Sequence, residues 1–290
     1  MVGLLVVAAV FAVWMLPVRG TQTQIEVTSG RPLLEASDRL RNLYGKVITY
    51  EDPVWSWRDV QPANVNPNAK YGLPKPLTLA LPAEAGIDPD VQKVLARTLE
   101  AYDRVANSPR FHVLRSTFGL HVVPSLIRDE NGEMAAAGNP LDTKVSVPVE
   151  ERRSSEHIRA VIAALEPSTG VPVSVVVAVM ARQPRDPFEQ LFAANPEKFL
   201  WGATNVVARD AVVELLERSA TSFVWDLRCS ANPRSCAFNL VPIQVAVTDL
   251  DGRKENRSLF YDRCPKCERF YPPTFAPQPP WSDHSGKGSR

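Results

Sequence analysis

The sequence predicts an α+β fold built from repeated small helix-plus-sheet modules. A pattern of amphipathic helix, short polar or glycine turn and apolar strand occurs three times, at residues 31–50, 153–175 and 209–225. Between these repeats, apolar and polar residues alternate over short runs, which is typical of half-buried strands. Helices that alternate with paired strands in this way favour small sheets, each backed by one or two helices.

Composition and charge bound the class of protein. The chain has 290 residues, of which 44% are hydrophobic and 22% are charged. These are ordinary values for one or two globular domains. Lys plus Arg number 33 and Asp plus Glu number 32, so the formal net charge is +1. A chain without an excess of one sign does not indicate nucleic acid or an anionic membrane surface as its partner.

The first twenty residues are predicted to be a targeting segment. Residues 2–18 form an uncharged apolar run, and the small residues before Thr21 suit a cleavage site. The run is longer than a typical signal core and slightly short of a membrane span. A cleaved signal peptide and an uncleaved membrane anchor both remain open, and both place residues 21–290 outside the cytoplasm. Only this segment is expected to contact a membrane.

Residues 21–150 are predicted to hold the first module or modules. The first helix begins at Pro32, because proline leaves no unpaired N–H in a first helical turn. Gly45 is expected to end it in the left-handed conformation, and residues 47–50 follow as a strand. The apolar stripe of this helix is predicted to comprise Leu33, Ala36, Leu40 and Leu43.

The remainder of that segment alternates strands with one long helix. Residues 53–76 are rich in proline and carry two tryptophans, which predicts a loop excursion. Asp88 and Pro89 predict the start of a helix that runs to Val105. Strands are predicted at residues 25–28, 77–81, 111–115 and 120–123, the last two as a hairpin.

Residues 151–270 are predicted to form the second module. A helix capped by Ser154 or Ser155 leads to residues 173–179, which are almost entirely apolar and β-branched. Such a run predicts a central strand that is covered on both faces. Further elements are predicted as a helix at 208–219 and strands at 145–149, 199–201, 223–225, 237–241 and 242–248. The strands at 223–225 and 237–241 are predicted to pair as a hairpin, whose ends a Cys229–Cys236 bridge would join. The proline-rich tail at 271–290 is expected to be disordered.

The first repeat resembles a known family. Pro32-Leu33, Ala36, Leu40 and Tyr44-Gly45 occupy the positions that mark the short N-terminal domain of secretins and TonB-dependent receptors. The resemblance covers residues 31–50, and the later repeats resemble related periplasmic modules more weakly. It implies small β-α-β modules that bind partner proteins and do not catalyse reactions. No series of amphipathic strands follows, so the resemblance extends to a module and not to a pore.

Four cysteines form two pairs, Cys229 with Cys236 and Cys264 with Cys267. An even number in an exported chain favours two local disulfides over a metal site. Cys264-Pro-Lys-Cys267 is also compatible with a redox pair, or with a zinc site that uses all four thiolates. The six residues between Cys229 and Cys236 exceed the usual zinc-ligand spacing. Zinc is therefore the minority alternative, and no other cofactor is expected.

Few other residues indicate chemistry. Glu51 and Asp52 follow a strand, where carboxylates can act as acid and base, but neighbours on an extended chain point to opposite faces. His112 and His121 are ordinary strand positions that could face each other across the hairpin. His157 is expected on a solvated helix face. No residue is therefore assigned as catalytic.

Aromatic side chains in the proline-rich loop are the candidates for binding. Trp55, Trp57 and Tyr71 are predicted either to contact a partner or to cover a gap in the core. The sequence thus predicts an exported, non-catalytic envelope protein of the periplasm that binds another envelope protein. A zinc-stabilised binding domain is the alternative, followed by an envelope enzyme that uses Glu51 and Asp52.

Overall fold

A mixed seven-stranded sheet forms the centre of the molecule. Its strands lie in the order Val173–Val176, Arg234–Pro242, Phe223–Ala231, Ile48–Glu51, Leu120–Arg128 and Arg110–Arg115, and Met134–Ala136 pairs with Leu120–Arg128. The computed structural model describes residues 25–56, 59–62, 72–81, 90–176, 192, 197–218, 223–231, 234–248 and 254–258. The predicted leader, the predicted tail, Trp57, Tyr71, Cys264 and Cys267 lie outside these residues.

The elements alternate along the chain. The strands are β1 (Ile25–Ser29), β2 (Ile48–Glu51), β3 (Val60–Pro62), β4 (Gly72–Pro74), β5 (Leu77–Leu81), β6 (Arg110–Arg115), β7 (Leu120–Arg128), β8 (Met134–Ala136), β9 (Lys144–Arg153), β10 (Val173–Val176), β11 (Lys198–Val207), β12 (Phe223–Ala231), β13 (Arg234–Pro242), β14 (Gln244–Thr248) and β15 (Lys254–Ser258). The helices are α1 (Pro32–Tyr44), α2 (Val91–Val105), α3 (Ser154–Ala163), α4 (Leu165–Thr169) and α5 (Ala208–Glu217). The predicted α+β class is confirmed.

The three helix-to-strand repeats are all present, and they share one sheet. Helix α1 leads to β2, helices α3 and α4 lead to β10, and α5 leads to β12. Strand β2, from before residue 150, pairs in parallel with β12, from after it. The division predicted at residue 150 therefore does not divide the sheet.

Local sequence accounts for the ends of α1. Pro32 occupies its first turn, and Gly45 ends it at φ +60° with its N–H donating to the Arg41 carbonyl oxygen at 2.8 Å. Three residues of the predicted stripe are buried, but Leu43 is 64% exposed. The prediction for Leu43 was wrong because the buried face of the last turn passes through Leu40, Arg41 and Tyr44, and Leu43 lies to one side of it.

Helix α2 begins two residues later than predicted. Asp90, and not Asp88, is the N-cap, and its carboxylate accepts a hydrogen bond from the backbone N–H of Lys93 at 3.2 Å. Either aspartate satisfies the preference for a short acceptor at this position, so the sequence alone does not choose between them. The other end of the helix is Val105, as predicted.

The two faces of the sheet carry separate cores. Because side chains alternate along a strand, Ile48 and Tyr50 of β2 pack against α1 and α2, whereas Glu51 points to the opposite face. On that face Trp225 and Leu227 of β12 pack with α3 and α5. Helices therefore cover both sides of the sheet, and the junction between β2 and β12 lies between the two cores.

The position of β10 in the sheet differs from the prediction. Its apolar run predicted a central strand, yet β10 lies at one end of the described sheet and pairs in parallel with β13. Exposure alternates along it, with Val176 on the open side. β-branched composition favours a strand but does not fix its position within a sheet. Residues 177–179 of the prediction lie outside the described part of the chain.

The proline-rich excursion contains more order than predicted. Within residues 53–76, β3 and β4 pair antiparallel, with Val60 opposite Pro74. The Lys75 N–H donates to the Asp59 carbonyl oxygen at 3.2 Å and closes this small hairpin. Proline is tolerated there because both strands are short and form a two-stranded edge unit.

Candidate functional site

Trp55 belongs to the core. Its side chain is only 7% exposed and packs in the same apolar cluster as residues of α3 and α5. Of the two predicted roles, Trp55 therefore has the first: it fills the core. It is not an exposed anchor for a partner. Its indole N–H makes no hydrogen bond with a described residue. Trp57 and Tyr71, the other two aromatic candidates, lie outside the described residues.

A cleft lies beside Trp55 and is the candidate site. Its volume is about 460 Å³, within the range of ligand-binding pockets. The excursion forms one wall, and the end of α2 with the residues leading into β6 forms the other. The lining residues are Gly30, Trp55, Asp59, Pro74, Lys75, Leu77, Tyr102, Val105, Asn107, Ser108, Pro109 and Arg128.

Close backbone packing holds the excursion against the first helix-strand unit. A Cβ atom on Gly30 would lie 2.6 Å from the Pro74 carbonyl oxygen, closer than real Cβ contacts allow. Glycine at this position therefore lets β4 approach the chain that enters α1. Across the cleft, Val105 is 50% exposed, so the last turn of α2 presents an apolar side chain to the open space.

Tyr102 supplies a polar group deep in the cleft. The residue is 3% exposed, and its ring packs edge-on against Phe111 with centroids 5.6 Å apart. Its hydroxyl makes no hydrogen bond with any described residue. Burial, reinforced by the Asp52 charge, raises the pKa of Tyr102, so the hydroxyl remains a proton donor across the physiological range. The cleft lining therefore includes a phenol that can donate a hydrogen bond.

Charged residues of the lining influence one another. Burial raises the pKa of Asp59, and the charges of Arg128 and Lys75 oppose that rise. Arg128 itself is held in place, because its backbone N–H donates to the Ser108 hydroxyl at 3.1 Å and its guanidinium donates to the Gly132 carbonyl oxygen at 3.3 Å. A fixed guanidinium, an indole wall and a buried hydroxyl are suited to binding and orienting a polar segment.

Glu51 and Asp52 do not form a catalytic pair. Glu51 accepts hydrogen bonds from Arg209 Nε at 2.8 Å and Nη2 at 2.6 Å, from Trp225 Nε1 at 3.2 Å, and from the Asn139 amide. The carboxylate is fully buried, and both of its oxygens are occupied. Its contacts are therefore those of a structural group that joins β2 to α5.

Asp52 makes its hydrogen bonds on the opposite face of the sheet. It accepts hydrogen bonds from Arg31 Nε at 2.6 Å, from the Tyr50 hydroxyl at 2.8 Å and from the Cys229 N–H at 2.9 Å. The two carboxylates thus point away from each other, as alternation along a strand predicts. Neither lines the cleft.

The histidines depart from two expectations. His112 lies opposite Val123, and His121 lies opposite Leu114, so the two do not face each other across the hairpin. The offset comes from the register of the β6–β7 pair. His157 is fully buried, and its Nε2 hydrogen-bonds the Phe199 carbonyl oxygen at 3.0 Å. The predicted solvated face was wrong because β11 covers this side of α3.

Cys229 and Cys236 form a disulfide. They lie directly opposite each other on β12 and β13, with Cα atoms 4.0 Å apart, and the bridge joins the ends of this hairpin as predicted. In this state neither sulfur is available as a thiolate ligand. Among the described residues, no group of three or more His, Cys, Asp or Glu side chains is arranged to hold a metal ion.

Sequence inspection missed most of the cleft. Tyr102, Arg128, Asp59 and Lys75 come from a helix, a strand and a loop, and no shared motif links them. One polar signal was available: Tyr102 is the last buried residue of α2, where a hydroxyl requires either a partner or an opening.

Within the part of the chain that is described, no helix is long and apolar enough to cross a membrane.

Comparison with known proteins identifies no relative of this chain. The resemblance of residues 31–50 to the secretin and TonB-receptor domain remains a prediction carried by those residues. No protein-family model, curated protein or solved structure matches this chain.

Proposed function

We propose that this chain is an exported, non-catalytic protein of the cell envelope that binds another envelope protein through the cleft beside Trp55. The observation that carries the proposal is the cleft itself. It combines apolar side chains, the Tyr102 phenol and the Arg128 guanidinium, which is hydrogen-bonded to the Gly132 carbonyl oxygen. Concave sites of this composition are the usual places where folded proteins hold a ligand or a partner segment.

The Cys229–Cys236 disulfide supports export. Disulfides persist in oxidising compartments and are rare in the cytoplasm, so a bridge that staples a central hairpin suits a periplasmic location. It also favours the disulfide hypothesis over a four-thiolate zinc site, because zinc would require both cysteines reduced. Thiol trapping in cells that produce the full chain should find these two cysteines oxidised in the envelope fraction. Reduced cysteines in a cytoplasmic fraction would contradict export.

The ion pairs of Glu51 and Asp52 support a binding role for this protein over a catalytic one. A general acid or base must be able to reach a substrate proton, and both carboxylates are fully buried within ion pairs. These contacts give the envelope-enzyme alternative no reactive group at the position where it was expected.

A substitution that fills the cleft tests the binding role. Asn107 is exposed at the rim, so Asn107→Trp should block the cleft without disturbing the core. Glu166→Trp, at an exposed position of α4, is the matched control. Affinity capture from envelope extract should recover the same partner with the wild type and the control but not with Asn107→Trp. Equal capture by all three proteins would exclude the cleft as the binding site.

A further inference from the structure

We propose that the cleft recognises a partner segment that carries a carboxylate, and that Arg128 and Tyr102 together hold this group. This inference rests on the proposed function, because it names the chemistry of what the cleft binds. The preferred occupant is an acidic peptide segment, with an Asp or Glu side chain or a chain terminus as the anchoring group.

Arg128 is the first element of this site. Its backbone and one of its guanidinium nitrogens are fixed by Ser108 and Gly132. The guanidinium makes no ion pair within 4.0 Å with another described residue, although it lies close enough to Asp59 to influence its pKa. A planar guanidinium with remaining donors binds a carboxylate through two parallel hydrogen bonds, which gives geometric selectivity as well as attraction.

Tyr102 is the second element. Only 3% of the residue's surface is exposed, it lines the cleft, and its hydroxyl makes no hydrogen bond with a described residue. A phenol in this position can donate a charge-assisted hydrogen bond to a bound carboxylate oxygen. Contact with Phe111 fixes the ring, so the hydroxyl is already oriented before a ligand arrives.

The remaining lining favours an extended peptide over a bare anion. Trp55, Pro74, Leu77 and Pro109 also line the cleft, and their apolar atoms offer contacts to a peptide segment that a small inorganic ion would leave unused. Asp59 is the only carboxylate of the described lining, and it would repel a second acidic residue placed on its side. The cleft should therefore accept one carboxylate at a defined position rather than a run of acidic residues.

Degenerate peptide libraries test this chemistry directly. Three libraries of nine-residue peptides, with Glu, Gln or Lys fixed at the central position, are passed over the immobilised full chain. The Glu library should be retained at least about tenfold more than the other two, because hydrogen bonds to charged groups contribute more than neutral ones. Equal retention of the Glu and Gln libraries, or no retention of any library, would overturn the inference.

Matched variants assign the effect to the two residues. Arg128→Gln should lose about tenfold or more of the retention of the Glu library and leave the Gln library unchanged. Arg128→Lys should recover only part, because it keeps the charge but loses the planar pair of donors. Tyr102→Phe keeps the buried ring and should lose roughly fivefold, as expected for one hydrogen bond of about 1 kcal/mol. Arg234→Gln, at an exposed position on β13, should change nothing.

The outcomes separate this inference from the proposed function. If Asn107→Trp abolishes capture of a partner but Glu and Gln libraries bind alike, the cleft binds a protein and the carboxylate preference is wrong. If the Glu preference persists in Arg128→Gln and Tyr102→Phe, another group makes the contact and the assignment fails. If Asn107→Trp has no effect on capture of a partner, the proposed function is wrong, whichever peptide library binds.

Discussion

Glu51 and Arg209, which lie 158 positions apart in the sequence, form a two-point ion pair inside the fold. The guanidinium donates through Nε and Nη2 to the two carboxylate oxygens at 2.8 and 2.6 Å. Trp225 and Asn139 donate to the same carboxylate, and Asp142 accepts from the remaining guanidinium nitrogen. This pair ties the sheet to α5 at the junction of the two cores.

Breaking that pair should destabilise the protein strongly. Glu51→Gln removes the charge but keeps the shape, and it leaves the half-exposed Asp142 carboxylate as the one remaining counter-charge of the buried Arg209 guanidinium among the described residues. The expected loss is about 3–5 kcal/mol in the free energy of unfolding, measured by urea denaturation. Glu35→Gln, which breaks the exposed pair with Arg39 on α1, should cost under about 1 kcal/mol. Similar losses for the two variants would show that Glu51 is not a buried structural group.

Substitution of Trp55 tests whether this tryptophan lies in the core or acts as a surface anchor. Trp55→Ala should lower the free energy of unfolding by about 3–5 kcal/mol, because it leaves a cavity in the core cluster. Trp55→Phe should cost much less, since the indole N–H makes no hydrogen bond with a described residue. Chemical denaturation of both variants tests this point. An alanine variant as stable as the wild type would mean that Trp55 is exposed in solution.

Stability should fall as pH decreases from about 6.5 to about 4. Burial, followed by the Arg209 charge, lowers the pKa of His121 from 6.5 to about 4. Between these values the unfolded chain binds a proton that the folded chain does not, so acid favours unfolding. The difference amounts to roughly 3 kcal/mol at pH 4. His157, whose pKa is also lowered chiefly by burial, acts in the same direction.

A histidine variant tests the origin of that slope. His121 is hydrogen-bonded to Thr49 at 2.8 Å and to Ser116 at 2.7 Å, so His121→Gln should be less stable than the wild type near neutral pH. Its free energy of unfolding should nevertheless change much less between pH 6.5 and 4, with His157 accounting for the remaining slope. If the variant keeps the full wild-type slope, His121 is not the titrating group.

Local structure was more predictable than the site. Pro32 and Gly45 gave the bounds of α1 from backbone preferences alone, and the alternating apolar residues predicted the β6–β7 and β12–β13 hairpins. Pairing between distant strands has no such local signal. The parallel contact of β2 with β12 joins residues such as Tyr50 and Asp226, and nothing in either segment indicates the other. For that reason, modules predicted as separate share one sheet.

Predicted chemistry failed where burial decided the outcome. Glu51 and His157 are polar residues that the sequence placed at a strand end and on a solvated helix face, yet both are fully buried. Polar composition does not reveal that a distant Arg209 neutralises Glu51, or that β11 covers His157. The cleft was missed for the same reason, because only the tertiary fold brings Tyr102 and Arg128 into the lining of one cleft.

Site-specific cross-linking in cells tests the central claim most directly. A small aliphatic diazirine amino acid, no bulkier than leucine so that the cleft stays open, is placed at Asn107 on the rim and, as a control, at Glu166 on α4 in the full chain. Illumination should join the Asn107 variant to a specific envelope protein, and the adduct should be weaker when Arg128→Gln is added. The control position should give no such product. Absence of an adduct at Asn107, or the same adduct at both positions, would contradict a binding function for the cleft.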